Sequence, residues 1–175
     1  AHEAIAEGLG MPALFSDSVI LPALIAHGVA PEDAIGYGIV GCVEASIPGK
    51  EQGVTAGGHI NLAKALELAL NDGRMRVFRN QRFGPATGDP PEFETFDDVF
   101  AAFEAQLNHF VDVKIRGNQV IARMYAREMP APFLSVLISD CISKGTDYHA
   151  GGARYNTSYI QGVGIGTLTD MFSSM

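Results

Sequence analysis

Gly41-Cys42-Val43-Glu44, preceded by the apolar run Tyr37-Gly38-Ile39-Val40, is the stretch that decides the fold of this chain. In an extended backbone, side chains two residues apart project to the same face. Cys42 and Glu44 would then lie side by side, with Val43 turned away. A thiol and a carboxylate that face one cavity suggest chemistry in which one group attacks or abstracts and the other moves a proton.

The spacing alone leaves a second interpretation open. Cysteine is among the most buried residue types and usually acts as a small hydrophobic side chain. The context favours function, because the segment is rich in glycine and an unpaired carboxylate beside an apolar run is costly. We therefore treat Cys42 and Glu44 as candidate catalytic residues.

The composition is that of a folded domain with no nucleic-acid or membrane partner. Of the 175 residues, 47% are hydrophobic and 18% are charged, which is enough apolar side chain for a core. The net charge of −8 disfavours binding to nucleic acid or to anionic membranes. The two cysteines, Cys42 and Cys141, make neither a disulfide framework nor a zinc cluster. This usage fits the cytoplasm, and no signal peptide or membrane span is visible.

The spacing of apolar residues and the positions of glycine and proline predict a mostly helical chain. Residues 12–27 should be a short extended piece and an apolar helix, with a short helix starting at Pro31. We expect a buried strand or loop over 37–43, a polar loop over 45–58 and a helix over 60–71. The remaining predictions are a loop over 74–94, helices over 95–128 and 133–144, a strand over 157–161 and a final helix.

Three details refine this prediction. Thr95 and Asp98 have the spacing of a capping box, and the long helix that follows should break or kink near Gly117 and stop before Pro130. The run 162–167 only superficially resembles a dinucleotide loop, because its glycines are misplaced and no βαβ unit surrounds it. Lys50 and Glu51 are expected to be a solvated loop pair, and Asp140, Cys141 and His149 to be structural.

Several segments, in order along nearly the whole chain, resemble the central part of a glycyl radical enzyme of the pyruvate formate-lyase superfamily. The matching segments are Pro12–Asp17, Val19–Leu24, Tyr37–Glu44, Asn61–Lys64, Glu67–Gly73, Pro132–Ser135 and Gly151–Asn156.

The resemblance implies an α/β fold, in which residues 1–175 are a fragment of a ten-stranded barrel built from two half-barrels. The fragment should be mostly helical, with a few strands and the cysteine loop that threads the barrel. The glycyl radical domain and the N-terminal part would lie outside this chain, and the chain alone is expected to be inactive.

The same resemblance distinguishes branches of the superfamily. Formate-lyases proper carry two adjacent cysteines at this loop, whereas Cys42 is followed by Val43. Enzymes that add hydrocarbons to fumarate typically lack the glutamate. The Cys-x-Glu sequence of this loop resembles that of the eliminating and decarboxylating branch. That branch contains the diol, glycerol and hydroxyproline dehydratases, choline trimethylamine-lyase, isethionate sulfite-lyase and some arylacetate decarboxylases.

The resemblance also implies roles for the pair. Cys42 would become a thiyl radical and abstract a hydrogen atom from a substrate carbon that bears a hydroxyl. Glu44 would remove the hydroxyl proton, which helps the substrate radical expel water, sulfite or an amine. Such a site must be enclosed, because solvent and oxygen quench radicals.

Thr55 and His59 are the candidate substrate-binding residues. Diol and glycerol dehydratases typically have a His-Asp pair where this chain has Thr55-Ala56, and choline lyases tend to have an aromatic residue at the position of His59. We expect Thr55, the Gly57-Gly58 pair and His59 to lie at the start of the 60–71 helix, where backbone N–H groups favour anions. This points to a non-cationic substrate such as isethionate, with the diol, glycerol and hydroxyproline dehydratases and the choline lyase as alternatives. A helix cap for Thr55 and a structural role for His59 also stay open.

The expected partners follow from the family. No cofactor or metal is expected to bind this chain, and the protein glycyl radical would be installed by an S-adenosylmethionine/iron–sulfur activase. The full-length protein is expected to be a cytoplasmic homodimer, with a bacterial microcompartment as the alternative location. Two other classes of function remain open. One is an enzyme of polar mechanism with Cys42 as nucleophile, and the other is a non-catalytic helical scaffold domain.

Overall fold

A computed structural model describes residues 2–8, 13–41, 43–54 and 57–175. Within these ranges the chain forms eight helices and eight short strands. The helices are α1 (His2–Ala6), α2 (Asp17–Ala26), α3 (Pro31–Ala34), α4 (Leu62–Ala69), α5 (Phe96–Glu128), α6 (Pro132–Leu137), α7 (Cys141–Lys144) and α8 (Ile165–Ser173). The strands are β1 (Gly38–Val40), β2 (Glu44–Ser46), β3 (Glu51–Val54), β4 (His59–Asn61), β5 (Arg74–Met75), β6 (Gln81–Arg82), β7 (Tyr155–Ser158) and β8 (Gln161–Val163).

The strands pair two by two. Two of the pairs are antiparallel hairpins, β1–β2 and β5–β6. The other two are parallel and join distant parts of the chain: β3 pairs with β7, and β4 pairs with β8. Because each parallel pair joins a strand near residue 55 to a strand near residue 158, both pairs bring the C-terminal part of the chain back to the cysteine loop.

The main core lies between α4, α5 and α8. Its buried members are Ala65, Leu66, Ala69, Ala102 and Phe103. Phe172 of α8 packs its ring edge-on against Phe103, with the ring centroids 5.4 Å apart. Ala102 and Phe103 of α5 are therefore core residues, whereas Phe96 and Phe100 nearer its start are exposed. Burying an aromatic or large aliphatic side chain contributes about 1.5–3 kcal/mol to folding.

Helix boundaries follow the local signals of the sequence. Thr95 and Asp98 form the predicted capping box at the start of α5, and the helix ends at Glu128, before Pro130. Pro31 occupies the first turn of α3. Gly28 has φ +92°, a conformation that suits glycine, and lies just after the end of α2.

Several boundaries differ from the prediction. The predicted loop 45–58 contains β3 and most of β2, and 74–94 contains the β5–β6 hairpin. The predicted helix 60–71 starts at Leu62, and the predicted helix 133–144 is two helices with Asp140 at φ +78° between them. Helix α5 continues unbroken across Gly117.

The α/β class, with more helix than strand, is confirmed. The ten-stranded barrel stays a prediction, because the described strands form separate pairs. Among the described residues, no helix combines the length and the apolar character needed to cross a bilayer.

Candidate active site

The cysteine loop is the turn of the β1–β2 hairpin. Val40 pairs with Glu44 across the hairpin. Gly41 has φ +62°, and Gly41 and Val43 both have turn conformation. Gly41 and Val43 therefore do not have the extended backbone that was expected across this segment. Cys42 itself lies outside the described residues.

Glu44 is the first residue of β2, and it is a buried carboxylate that is 9% exposed. Its Oε2 accepts a hydrogen bond from the backbone N–H of Val43 at 3.1 Å. Its Oε1 accepts a hydrogen bond from the side-chain amide of Gln161 at 2.8 Å. An ionised carboxylate only accepts hydrogen bonds, so donors on both oxygens suit the carboxylate form.

The residue at position 41 also depends on this carboxylate. A Cβ on Gly41 would lie 2.8 Å from Oε2 of Glu44, which is closer than real Cβ contacts. The positive φ at this residue adds a second reason for glycine. The glycine before Cys42 thus allows the Glu44 side chain to fold back under the turn.

A second buried carboxylate, Glu51, lies at the start of β3 and is 8% exposed. Its Oε2 accepts the backbone N–H of Ile47 at 2.7 Å, and its Oε1 accepts the hydroxyl of Thr157. The hydroxyl of Tyr159 lies 3.1 Å from the same Oε1 and 2.5 Å from the carbonyl oxygen of Ala45. Burial and then the charge of Glu51 raise the pKa of Tyr159, which keeps its proton. The expectation that Glu51 is a solvated loop residue is wrong.

A third carboxylate, Asp33, is 3% exposed and is surrounded by donors. Lys50, Arg154 and Tyr155 all bond to it, with Arg154 Nη1 at 3.1 Å and the Tyr155 hydroxyl at 2.8 Å from Oδ2. These bonds, that of Lys50 first, lower the pKa of Asp33 to about 2. Lys50 therefore belongs to an ionic cluster around a buried carboxylate rather than to a solvated pair with Glu51, although its own side chain is 35% exposed.

Asp140 and Cys141 have structural positions, as expected. Asp140 accepts two bonds from the guanidinium of Arg154, at 3.2 Å from Nε and 3.0 Å from Nη2. Those bonds lower the pKa of Asp140. Cys141 is buried at the start of α7.

His59 lies in β4 and is exposed. In the parallel β4–β8 pair its Cα partner is Gln161, the residue that donates to Glu44. Thr55, the other candidate, lies outside the described residues. The pairing brings His59 near Gln161 in the fold, although 102 positions (59 to 161) separate them along the chain.

The prediction that His59 lies at a helix N-terminus, where it would favour an anionic substrate, is wrong. Helix α4 begins at Leu62, after strand β4, and its N-cap is Asn61. The Asn61 side chain accepts the backbone N–H of Lys64 at 3.0 Å, so this donor is already used. His59 is therefore a strand residue and does not lie at a helix N-terminus.

Two cavities adjoin these strands. One, of about 300 Å³, has His59, Lys64, Phe83, Phe110 and Lys114 in its wall. The other, of about 460 Å³, lies between β3 and α5 and includes Gln52, Asn118, Tyr148 and His149. The His149 ring lies against Tyr125, with centroids 5.3 Å apart, in agreement with a structural role. Among the described residues, no group of three His, Cys, Asp or Glu side chains is arranged to hold a metal ion.

Sequence reasoning missed Thr157, Tyr159 and Gln161, whose side chains reach the carboxylates of the hairpin region. No signal in the sequence singles them out, because every residue from Tyr155 to Gln161 except Ile160 carries a hydroxyl or amide side chain. Their partners, more than 100 positions away, were not visible in the sequence.

Comparison with known proteins agrees with these features. The pyruvate formate lyase-like family matches residues 1–175. The trans-4-hydroxy-L-proline dehydratase of Clostridioides difficile is 45% identical over 175 residues, which are 100% of this chain and 22% of that protein. The isethionate sulfite-lyase of Oleidesulfovibrio alaskensis is 32% identical over 175 residues, 99% of this chain and 21% of that protein.

A solved structure of hydroxyproline dehydratase from Clostridioides difficile, with trans-4-hydroxy-L-proline bound, superimposes with a TM-score of 0.86 at 44% identity. The superposition covers 94% of this chain and 20% of that one. The chain thus spans about a fifth of the length of the curated relatives it matches. The predicted superfamily is confirmed: this chain belongs to the pyruvate formate lyase-like family of glycyl radical enzymes.

Proposed function

We propose that this chain is the central part of a glycyl radical lyase or dehydratase that removes a leaving group from a small hydroxylated substrate. Cys42 is the hydrogen-abstracting residue, and Glu44 exchanges a proton with the substrate hydroxyl. One observation carries the proposal. In a chain of this family, Glu44 is a buried carboxylate held on both oxygens, two positions after Cys42. A buried carboxylate needs hydrogen-bond partners, and the described donors on both oxygens hold Glu44 in one orientation.

The proposed reaction transfers a hydrogen atom between the substrate and Cys42 and a proton between the substrate and Glu44. The Cys42 thiyl radical takes a hydrogen atom from a carbon and becomes a thiol, which leaves the unpaired electron on that carbon. Glu44 removes the proton of the hydroxyl on that carbon, and the leaving group departs from the next carbon with its bonding pair. The substrate radical then takes the hydrogen atom back from the Cys42 thiol, and the proton on Glu44 goes to the leaving group or to solvent.

A substrate whose hydroxyl is itself the leaving group needs a variation of this scheme. In 4-hydroxyproline the carbon next to the hydroxyl-bearing one carries no hydroxyl, and on one side it is bonded to the ring nitrogen. After hydrogen abstraction at that carbon, Glu44 in its carboxylic acid form gives a proton to the hydroxyl, which leaves as water with its bonding pair. The ring N–H then releases a proton that restores the acid form of Glu44, and the product radical takes the hydrogen atom back from the Cys42 thiol. Glu44 thus acts as a base towards the substrate hydroxyl in the first scheme and as an acid towards it in the second.

The substrate class that we propose is a small hydroxylated acid. Hydroxyproline carries a carboxylate and isethionate a sulfonate, and both differ from the cationic choline. The identity of 45% to the hydroxyproline dehydratase, against 32% to the isethionate lyase, favours the amino acid over the sulfonate that the residues near His59 suggested. Thr55 and His59 are the proposed substrate contacts, and the register of His59 beside Gln161 supports the second.

The proposed partners belong to the complete enzyme. A radical S-adenosylmethionine activase generates the glycyl radical outside this chain, and the complete enzyme is a homodimer in the cytoplasm or in a microcompartment. The fragment without the radical-bearing segment is inactive.

The test uses the intact protein, activated under anaerobic conditions by its activase with S-adenosylmethionine. Substrates are trans-4-hydroxyproline, isethionate, propane-1,2-diol, glycerol and choline, and product formation is measured. We expect turnover of one hydroxylated acid, hydroxyproline first. Cys42→Ser and Glu44→Gln should each lower turnover at least a thousandfold, with the glycyl radical signal in electron paramagnetic resonance unchanged.

Cys141→Ala is the matched control for the thiol, because it removes the second cysteine from the structural helix α7. It should keep wild-type turnover. Substantial activity of Cys42→Ser would sink the assignment of the radical residue, and activity of Glu44→Gln close to wild type would sink that of the proton carrier. Oxygen-tolerant turnover without activation would favour the polar thiol mechanism instead.

A further inference from the structure

A row of alternating polar side chains faces the carboxylates of the hairpin region. Tyr155, Thr157, Tyr159 and Gln161, here called the polar row, are partly buried, as is Ile160, while Asn156 and Ser158 are exposed. Within β7 this is the period of two expected of a strand with one covered face.

Each member of the polar row has a partner on the covered face. Tyr155 reaches Asp33, and Thr157 reaches Glu51. Tyr159 reaches the carbonyl oxygen of Ala45 and the carboxylate of Glu51. Gln161 reaches the carboxylate of Glu44. The last two members therefore hold two consecutive residues of β2.

We propose that Gln161 is a positioning residue for Glu44, which it orients for proton exchange with the substrate. This proposal rests on the proposed function of Glu44. The Gln161 amide nitrogen lies 2.8 Å from Oε1, and it comes from a residue 117 positions further along the chain. The other donor described, the Val43 N–H, comes from the neighbouring residue and binds Oε2. Gln161 thus fixes Glu44 against a separate element of the fold.

The backbone of Gln161 is itself held in place. Its N–H donates to the carbonyl of Gly58 at 2.9 Å, and β8 pairs with β4 in parallel register. On the other side, the Tyr159 hydroxyl at the Ala45 carbonyl fixes the residue after Glu44. Because the backbone of Gln161 is already fixed, its side chain can hold Glu44 in one orientation with little further loss of conformational freedom.

The neutral charge of the donor suits a group that must change protonation state. Asp33, held by Lys50 and Arg154, has a pKa lowered to about 2 and cannot take up a proton near neutral pH. Among the described donors to Glu44, the Gln161 amide gives direction without a full positive charge, which suits the proposed exchange of a proton with the substrate. The fold therefore provides cationic partners for Asp33 and a neutral donor for Glu44.

The test compares two substitutions at one position in the intact, activated enzyme. Gln161→Leu removes the donor at similar size, and Gln161→Glu replaces it by a second carboxyl group. Both raise the pKa of Glu44, the second more strongly, because a like charge disfavours ionisation. We expect the limb of the kcat–pH profile that Glu44 governs to move to higher pH in Gln161→Leu and further in Gln161→Glu. The KM should change less than threefold.

Ser158→Ala is the matched control on the exposed face of the same segment, and its pH profile should not move. Radical yield, measured by electron paramagnetic resonance, shows that each variant is folded and activated. If Gln161→Leu does not accumulate as folded protein, the test is the comparison of the kcat–pH profiles of wild type and Gln161→Glu, because glutamine and glutamate are nearly the same size.

An unchanged pH limb in both variants would overturn the positioning role, as would a fall in kcat with no shift in pH. Including Glu44→Gln in the series separates the two proposals. Loss of turnover in Glu44→Gln with unmoved pH profiles in the Gln161 variants contradicts only the role of Gln161. Wild-type turnover in Glu44→Gln contradicts the proposed function itself.

Discussion

Arg154 and Asp33 form an ion pair with Nη1 3.1 Å from Oδ2, and this pair joins α3 to the start of β7 across 121 positions. Lys50 pairs with the other oxygen of Asp33. The same arginine holds Asp140, with Nη2 3.0 Å from Oδ1. The cluster ties three distant segments beside the hairpin that carries Glu44, so the geometry of the site depends on charges outside it.

The first prediction concerns acid stability. The pKa of Asp33 is about 2 in the folded chain and 3.8 in the unfolded reference. Because the folded state holds the ionised form, this group stabilises the fold above pH 3.8, and that contribution is lost as the pH falls towards 2. Asp33→Asn should lower the midpoint of thermal unfolding at pH 6, and the difference from wild type should shrink steadily between pH 4 and pH 2.

The control for this experiment is Asp112→Asn, at an exposed position of α5. It removes one negative charge without touching the cluster, so its midpoint should follow that of wild type at every pH. A difference between Asp33→Asn and wild type that stays constant from pH 6 to pH 2 would contradict the linkage argument.

The second prediction concerns Gln106, which is fully buried in α5. Its amide nitrogen donates to the carbonyl of Pro85 at 2.8 Å and to the hydroxyl of Thr87 at 3.0 Å, which fastens the loop after β6 to the helix. Gln106→Ala leaves these acceptors without their donor and opens a cavity. We expect a loss of about 2–3 kcal/mol in the free energy of unfolding, measured by urea titration.

Glu104→Ala is the matched control for Gln106→Ala, because it truncates an exposed side chain on the same helix. Its free energy of unfolding should stay within about 0.5 kcal/mol of wild type. Equal losses in the two variants would show that the effect comes from the helix rather than from the fastening of the loop.

The third prediction compares two glycines. A Cβ at Gly152 would lie 2.0 Å from the carbonyl oxygen of Thr146, so Gly152→Ala forces the backbone apart just before Arg154. It should cost about 2 kcal/mol or more. Gly117 lies in the middle of α5, with no atom within 4 Å of the position of a Cβ. Gly117→Ala should therefore stabilise the chain by about 0.5–1 kcal/mol in the same denaturation experiment.

The outcome for Gly117 is informative in both directions. A gain in stability agrees with an open helix face at this position. A loss of more than 1 kcal/mol would contradict the prediction and place another segment against the helix there. The Gly152 prediction would be contradicted if Gly152→Ala unfolded at the wild-type urea concentration.

The fourth prediction concerns the start of α5. The Thr95 hydroxyl accepts the N–H of Asp98 at 3.3 Å, and the Asp98 carboxylate accepts the N–H of Thr95 at 2.8 Å. Thr95→Ala should cost about 1 kcal/mol in the free energy of unfolding. Thr169→Ala in α8, whose hydroxyl bonds only within its own helix, should cost clearly less. Similar losses for the two variants would argue against the capping box.

The sequence was sufficient where the deciding interactions are local. The Thr95–Asp98 spacing is a signal within one helix, and α5 begins where that spacing predicts and ends before Pro130, although it does not break at Gly117. The strands β3 and β4 were missed because their stability comes from partners more than 100 positions away. A parallel pair leaves little trace in either strand alone.

The candidate site shows the same division. Glu44 was identified from its motif, but its geometry was predicted for an extended chain and the hairpin turn at Gly41 changed it. Gln161 was missed because a glutamine in a strand has no chemical signature of its own. Its importance comes from the partner that the fold brings to it.

The two parallel pairs have a consequence for how the chain is made. His59 leaves the ribosome 102 residues before its partner Gln161 (59 to 161), a delay of roughly 5 to 20 s at about 5–20 residues per second. During that time the edges of β3 and β4 have no partner. α5 is complete once Glu128 is synthesised, 33 residues before Gln161 (128 to 161), so α4 and α5 can pack together before either parallel pair forms.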